Sequence, residues 1–321
     1  MKKTAGISFC LLTAAMACGQ LREVTVSAIP GVVSAGAQWK LAWQGTDNAD
    51  GIVGTPDGGL LFAQEQPNRI GKLDTADKVS AYLEDTHGAG ALTVDSRGRI
   101  FGVERTCTDP GGQPGKCTEP TAVAELSPER KILADNIDGK SLGRLNDLIV
   151  DKKGGIYFNG AALFYRDPAG KVVTIGENIR TNGITLSRDE KTLYVTNGAT
   201  IVAFDIQPDG QVHNQRDFGK LEAGGSGDGM TIDAAGRIYI SSAPGIQVLS
   251  PEGKYLGLIP TPRAAISVAF SGPEKKTLYV VGSGALTPDG KEAQTPPGVR
   301  NNAKSIYRIE TIAEGFKGRV K

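Results

Sequence analysis

The chain is short of the residues that activate nucleophiles: it has two histidines, His87 and His213, and four cysteines. Two histidines leave little room for a Ser–His or Cys–His system, and no Gly-x-Ser-x-Gly elbow is present. Aromatics make up only 6% of residues, and no long stretch carries a helical period, which argues against a bundle. No charge sign is in excess: 36 Lys and Arg against 35 Asp and Glu give a net charge of +1. Without a basic stripe, nucleic acid is not an expected partner.

Glycine is plentiful, at 43 residues. Short β-branched runs alternate with Gly, Asp, Asn and Pro clusters, which reads as all-β. One phrase recurs six times, a polar turn followed by a strand opening on an aliphatic pair or an aliphatic-aromatic pair. Examples are Asp95-Ser96-Arg97-Gly98-Arg99-Ile100-Phe101, Asp151-Lys152-Lys153-Gly154-Gly155-Ile156-Tyr157 and Asp233-Ala234-Ala235-Gly236-Arg237-Ile238-Tyr239. The anchors of the six copies are Leu61, Phe101, Tyr157, Tyr194, Tyr239 and Tyr279, spaced 40, 56, 37, 45 and 40 residues apart. A period near 40 with several strands per unit marks propeller blades. The sequence therefore predicts a six-bladed β-propeller over residues 37–321, closed by pairing Gln38–Trp43 with Lys304–Ile309.

The first residues read as a secretory signal over 1–17: Lys2 and Lys3, an apolar stretch from Ile7 to Leu12, and Ala15-Met16-Ala17 as a small-residue cleavage site. It is too short for a membrane span. The expected location is outside the cytoplasm, periplasmic or extracellular. Cys18 follows the cleavage site directly, where a lipid anchor would attach, although Ala15-Met16-Ala17 fits a lipobox poorly. Residues 18–36 read as a tether. Cys107 and Cys117 flank a patternless loop and are expected to form a disulfide in an exported chain, the alternative being two free thiols.

Each blade should open with its inner strand, just before the repeated turn. Stepping back eleven or twelve residues from each anchor gives Asp50, Gly90, Asn146, Asn182, Asp228 and Ser267. Equivalent positions in a ring face one axis. Four of them carry oxygen donors: the carboxylates Asp50 and Asp228 and the amides Asn146 and Asn182. That set suits one hard divalent cation such as Ca²⁺, Mg²⁺ or Mn²⁺, whereas Zn²⁺ more often recruits His or Cys. Taken singly, Asp-Gly and Asn-Gly are turn dipeptides; their coincidence at one phase favours the ligand reading. Asp228 or Asp50 could accept a proton beside such a metal. Arg144, two residues before Asn146, belongs at the channel mouth, where it could bind substrate hydroxyls or a carboxylate. Gly224–Gly229 reads as the loop that delivers Asp228.

Three segments carry a resemblance: Asp138–Asp147 with Arg144-Leu145-Asn146-Asp147, Thr181–Ser187 with Asn182-Gly183-Ile184, and Gly227–Asp233 with Asp228-Gly229-Met230. In this order, one per blade, they resemble the motifs of the SMP-30/gluconolactonase/LRE family, and the Asp-Gly-Lys phrase before Arg144 resembles its bacterial gluconolactonase branch. The resemblance implies a metal-dependent lactonase, with Asn146, Asn182 and Asp228 on the metal, Asp228 also taking the proton, and Arg144 and Asn146 on the substrate. One departure stands out. The family's first-blade Glu-Gly-Pro is here Asp50-Gly51-Ile52, which keeps the charge but loses a methylene. Whether Asp50 reaches the metal directly, through water or not at all is left open. The expected substrate is a gluconolactone-like sugar lactone, with calcium the favoured ion. The alternatives are a related esterase or phosphotriesterase, and a non-catalytic binding propeller with a structural metal. The oligomeric state is not legible.

Overall fold

Every copy of the repeated phrase forms the hairpin between the first and second strands of a blade. In three copies the Asp that opens the turn does the local work. Asp95 Oδ1 accepts the backbone N–H groups of Arg97 and Arg99, both at 2.9 Å. Asp151 does the same for Lys153 and Gly155 at 2.8 Å, and Asp233 for Ala235 and Arg237 at 2.9 Å. These side-chain caps mimic a turn and fix its register. Gly154 has φ +89, which costs glycine nothing and a larger residue about 1 kcal/mol or more. Each hairpin then pairs antiparallel at once: Val94 opposite Ile100, Val150 opposite Ile156, Ile232 opposite Ile238.

The computed structural model describes residues 21–105, 119–294 and 303–319. The signal segment, Cys18 and the Cys107–Cys117 pair lie outside the described residues. Six four-stranded antiparallel sheets follow one another, and among the described residues there is no helix. Blade 1 holds Ile52–Gly54, Leu60–Gln64, Arg69–Leu73 and Val79–Glu84; blade 2 holds Ala89–Val94, Ile100–Glu104, Ala122–Ser127 and Lys131–Ala134. Blade 3 holds Leu148–Val150, Ile156–Asn159, Leu163–Arg166 and Val172–Ile175; blade 4 holds Ile184–Leu186, Thr192–Asn197, Thr200–Ile206 and Val212–Lys220. Blade 5 holds Met230–Ile232, Ile238–Ser242, Gly245–Leu249 and Tyr255–Pro260. The first three strands of blade 6 are Ala265–Ser271, Thr277–Ser283 and Lys304–Glu310, and its outer strand is Lys40–Gly45 from the other end of the chain. Lys40 pairs with Arg308 and Gly45 with Lys304, as the pairing of the two ends predicts, with a bulge between Leu41 and Trp43. The fold is a six-bladed β-propeller.

The anchors explain why blades stack. Each is buried against the blade that follows: Leu61 with Leu92 and Ile100, Phe101 with Leu148 and Ile156, Tyr157 with Ile184 and Leu193, Tyr194 with Met230 and Ile238. Tyr239 meets Phe270 edge-on at 4.9 Å, and Tyr279 packs with Ile52 and Phe62 of blade 1. Burying one such side chain contributes about 1.5–3 kcal/mol. The core is thus six inter-blade layers rather than one mass.

Two flanking segments brace this ring. The stretch read as a tether is packed in its described part, for Val26, Ile29, Val32 and Val33 are buried between blades 5 and 6. The reason is apolar area at the junction of those two blades, which this segment covers. After blade 6 the tail continues under the ring. Phe316 N–H donates to Ile232 O at 3.1 Å, and the Arg319 guanidinium donates to Leu186 O and Ser187 O. Ile232 and Leu186 end the inner strands of blades 5 and 4, so the tail lies at the ends away from Asp228 and Asn182.

Candidate functional site

Each of the four oxygen-bearing ring residues is fixed by the second strand of its own blade. Asp50 N–H donates to Ala63 O at 3.1 Å, Asn146 N–H to Asn159 O at 2.7 Å, and Asp228 N–H to Ser241 O at 2.9 Å. Asn182 N–H donates to Thr196 Oγ1 at 3.1 Å. After Asp50, Asn182 and Asp228 the next residue is glycine, and it serves contact between blades and not a hairpin turn. Gly51 N–H reaches Gly90 O at 2.9 Å, and a Cβ at Gly51 would lie 2.6 Å from Ala91 Cα. A Cβ at Gly183 would lie 2.0 Å from Asp228 O, and one at Gly229 3.1 Å from Ser267 Cα. None of the three has a positive φ. Glycine is required here because inner strands of adjacent blades converge.

The structure brings all four oxygen-bearing ring positions together. Asp50, Asn146, Asn182 and Asp228, with Ser267, line a tight pocket on the channel axis. The same four, joined by Asn48, Glu65, Arg105, Arg144, Ile266 and Lys304, line a wider cavity of about 290 Å³. Arg144 is therefore at the cavity, delivered by a small hairpin, Asn136–Ile137 with Lys140–Ser141, whose turn residues Asp138 and Gly139 have φ +51 and +74. Asp147 turns inward from the ring: its Oδ1 accepts Leu148 N–H and its Oδ2 accepts Ile184 N–H at 3.0 Å, tying blade 3 to blade 4.

Two charged residues that the ring argument does not find share this cavity. Arg105 is buried, and its Nη1 lies 2.7 Å from Asp50 Oδ2 and 3.0 Å from Glu65 Oε2. Its Nη2 lies 3.1 Å from both the backbone oxygen and Oδ1 of Asn146, and its Nε donates to Leu145 O at 3.2 Å. The space it fills is the side chain that Gly90 lacks, since a Cβ there would sit 2.3 Å from the guanidinium carbon. Glu65 and Arg105 each stand four residues past an anchor, Leu61 and Phe101, where the second strand leaves the sheet. The other anchors have Ala161, Gly198, Ala243 and Ser283 at that phase. Charge at that second phase is the signal that would have found them.

Electrostatics follow from burial. Burial drives the Glu65 carboxyl above its ordinary range while Arg105 and Arg144 pull it back. Burial opposes the charge on Arg105, but Glu65 and Asp50 outweigh it and hold the guanidinium above its usual pKa. Arg144 is pushed down by burial and by Arg105; its Nη1 stands 3.5 Å from Glu65 Oε1, and 38% of its side chain is exposed. Asp228 is raised well above the ordinary carboxylate range, first by burial, then by the charges of Asp50 and Asp147, against the pull of Arg105. Among the described residues no side chain donates to its carboxylate.

The donor set fits a hard cation. A half-buried carboxylate with two more nearby, and amide oxygens at equivalent positions, is stabilised by positive charge and offers oxygen donors only. Among the described residues no three His, Cys, Asp or Glu side chains form a metal cluster, so the set reaches four donors only through the amides. Arg105 shares two of the four, Asp50 and Asn146, and Asn182 Oδ1 accepts Asn146 Nδ2 at 2.5 Å. The histidines lie elsewhere, His87 against Glu119 and His213 against Gln207. Glu104 is structural, held by Arg130 at 2.8 and 2.7 Å, and Asn197 Oδ1 accepts Arg180 N–H at 2.9 Å.

Comparison with known proteins places the chain in a family. The model of the SMP-30/Gluconolactonase/LRE-like region matches residues 49–284. A gluconolactonase of Zymomonas mobilis is 27% identical over 288 residues, covering 78% of each chain. Regucalcin of Xenopus laevis is 27% identical over 281 residues, covering 82% of this chain and 89% of its own. Among solved structures, a gluconolactonase from Xanthomonas campestris superposes with a TM-score of 0.68 at 21% identity, covering 91% of this chain and 95% of its own.

Proposed function

Since this chain belongs to the SMP-30/gluconolactonase/LRE-like family, we propose that its central cavity is the active site of a metal-dependent lactonase acting on sugar lactones. The observation that carries this reading is the convergence of Asp50, Asn146, Asn182 and Asp228, from four blades, on one cavity that also holds Arg144.

Asn146, Asn182 and Asp228 would hold one divalent cation, with Asp50 on the same ring. Calcium suits an all-oxygen set with room for water. A bound cation would supply Lewis acidity toward the lactone carbonyl and the attacking water. The chain's own residues do the rest. Arg144 and Asn146 orient the sugar through its hydroxyls. The water oxygen forms a bond to the carbonyl carbon, and Asp228 takes the proton that water releases. The ring C–O bond then breaks, and the proton passes to the departing ring oxygen, leaving the open hydroxy acid. Glu65 and Arg105 hold Arg144 and Asp50 in place from behind.

Export follows from the N-terminal pattern of Lys2, Lys3, the apolar stretch and Ala15-Met16-Ala17, and a periplasmic or extracellular lactonase is the reading it supports. A Cys107–Cys117 disulfide and a lipid at Cys18 belong to the same proposal.

The test is hydrolysis of glucono-δ-lactone followed by pH indicator, after chelation and again with Ca²⁺, Mg²⁺, Mn²⁺ or Zn²⁺, with Asp228→Ala as control because this lactone also opens spontaneously. A metal-dependent excess over the control is expected. No excess with any metal, in folded protein, would favour the second reading, a binding propeller with a structural metal. The observation on that side is Arg105, whose guanidinium engages two of the four donors. An aryl ester or phosphotriester hydrolysed in place of the lactone would move the reading to a related hydrolase.

A further inference from the structure

The face opposite the central cavity carries a second concentration of charge. A groove of about 320 Å³ opens there between blades 2 and 3, lined by the hairpin turns that begin at Asp95 and Asp151. Those turns follow Val94 and Val150, the last residues of their inner strands, so the groove lies at the end of the channel away from Asn146 and Asp228. Its walls carry six cations, Arg97, Arg99, Lys131, Lys152, Lys153 and Arg166, against three carboxylates, Asp95, Glu125 and Asp151. The described part of the C-terminal tail, which lies under blades 5 and 4, lines none of it.

All three carboxylates are already engaged. Asp95 Oδ2 accepts Arg99 Nε at 2.8 Å, and Glu125 Oε2 accepts Arg99 Nη1 at 3.1 Å, so one arginine answers two of the acids. Asp151 Oδ1 caps the backbone N–H groups of Lys153 and Gly155. The cations are far less well answered. Lys153 Nζ is turned to Pro208 O at 2.5 Å. Arg166, half-buried at the end of the third strand of blade 3, donates from Nε to Leu133 O and from Nη1 to Asp167 O, both at 3.1 Å. Both partners are neutral carbonyls, and the neighbouring acid Asp167 gives its Oδ1 to Lys171 N–H at 2.8 Å. Arg97, Lys131 and Lys152 are exposed, and among the described residues their side chains enter no hydrogen bond or ion pair. Glu190, whose Oε2 accepts Lys152 N–H at 3.0 Å, is itself paired with Arg319. Charges of one sign around one hollow repel one another and favour entry of a counter-charge.

We infer that this groove is an anion site whose ligand carries a phosphate group, held by Arg166 with Arg97, Lys131 and Lys152 around it. Arg166 Nη2 keeps both of its N–H groups for the ligand. Arg97 and Lys131 approach from blade 2, Lys152 and Arg166 from blade 3. A single carboxylate would answer only one of these charges, whereas a phosphate ester carries up to two and presents three acceptor oxygens. Guanidinium supplies directed hydrogen bonds to such a group, and the lysines supply charge without a fixed direction. The site is independent of the lactonase reading, because no residue of the groove lines the central cavity. The phosphate could belong to a free compound or to a lipid headgroup.

Calorimetry of the full chain with pyrophosphate, and co-sedimentation with phosphatidylcholine vesicles containing phosphatidic acid, test the two sources. Binding of at least one probe is expected. Arg166→Gln should weaken it about 10-fold, the value of one charge-assisted hydrogen bond, with Arg166→Lys restoring part of it. Lys131→Gln combined with Lys152→Gln removes no side-chain hydrogen bond of the described fold and should weaken it about 5-fold. Pyrophosphate bound with this dependence assigns the groove to a free phosphate compound; the same dependence with vesicles alone assigns it to a lipid headgroup. Neither probe bound, binding that the variants share with the wild type, or citrate bound as tightly as pyrophosphate would overturn the inference.

Discussion

Arg105 Nη1 lies 2.7 Å from Asp50 Oδ2, so a guanidinium from the second blade engages the first-blade carboxylate of the ring. Three departures from a regular ring are one arrangement: the shortened acid at position 50, the missing side chain at Gly90, and the buried arginine that fills the gap. A longer acid at position 50 would push into the space the guanidinium occupies.

Arg105→Met should therefore be costly to the fold. It leaves Glu65, 1% exposed, without its closest cation, and removing one partner of a buried pair costs about 3–5 kcal/mol. Urea denaturation should show that loss, and Arg105→Met combined with Glu65→Gln should recover part of it. A single-variant loss below about 1 kcal/mol would mean the pair is no better than a surface bridge.

The metal-free protein should respond to pH through Asp228. Its native pKa is raised from the ordinary 3.8. Between those two values the folded chain holds a proton that the unfolded chain has released. Stability from this group is thus greatest at low pH and falls as pH rises through the native value. Asp228→Asn should flatten that fall and leave the chelated variant more stable than chelated wild type at pH 7. Thermal melts with EDTA and with Ca²⁺ check this, with calcium stabilising the wild type alone. A chelated variant less stable than the wild type would contradict the assigned cause.

Glycines at the blade contacts should rank by clearance. Gly183→Ala places a methyl against the Asp228 carbonyl and should cost about 3 kcal/mol, the upper range for overpacking, with lactonase activity falling in parallel. Gly229→Ala, whose methyl would lie 3.1 Å from Ser267 Cα, a milder crowding, should cost about 1 kcal/mol. Equal losses in denaturant midpoints would point to backbone entropy in place of crowding.

The tail and the closing strand should separate in truncations. Ending the chain after Glu310 removes Phe316 and Arg319 from beneath blades 5 and 4, and Arg319→Ala alone should cost about 2–3 kcal/mol by stranding the buried Leu186 carbonyl and Glu190. Circular dichroism should still show a folded propeller. Ending it before Lys304 removes the strand between Thr277–Ser283 and Lys40–Gly45 and should abolish cooperative unfolding.

The ring residues were legible because a propeller repeats. One phase of one strand, read six times, placed Asp50, Asn146, Asn182 and Asp228 on a common cavity, and the same repetition exposed the inter-blade anchors. Arg105, Glu65 and Lys304 were not legible on that phase. They enter from the ends of the second strands and from the closing strand, and their long side chains reach an axis their backbones do not line. Gly90 carried the clue as a missing side chain, which a search for ligands passes over. Asp-Gly and Asn-Gly invited a turn reading because dipeptide preference is local, while the contact that demands glycine comes from the neighbouring blade. The packing of Val26, Ile29, Val32 and Val33 was invisible because its cause is exposed area on blades 5 and 6.

The borrowed outer strand of blade 6 also governs when the molecule can become itself. Lys40–Gly45 is made well before its partner Lys304–Glu310, so all six inner strands must exist before the seam can form. Five blades can assemble by local hairpins as they are synthesised, yet the ring stays open, with unpaired strand edges at both ends, until Lys304–Glu310 arrives. Folding speed is then set by one contact between distant parts of the chain. During that wait, any factor that shields strand edges would decide how much protein is made in usable form.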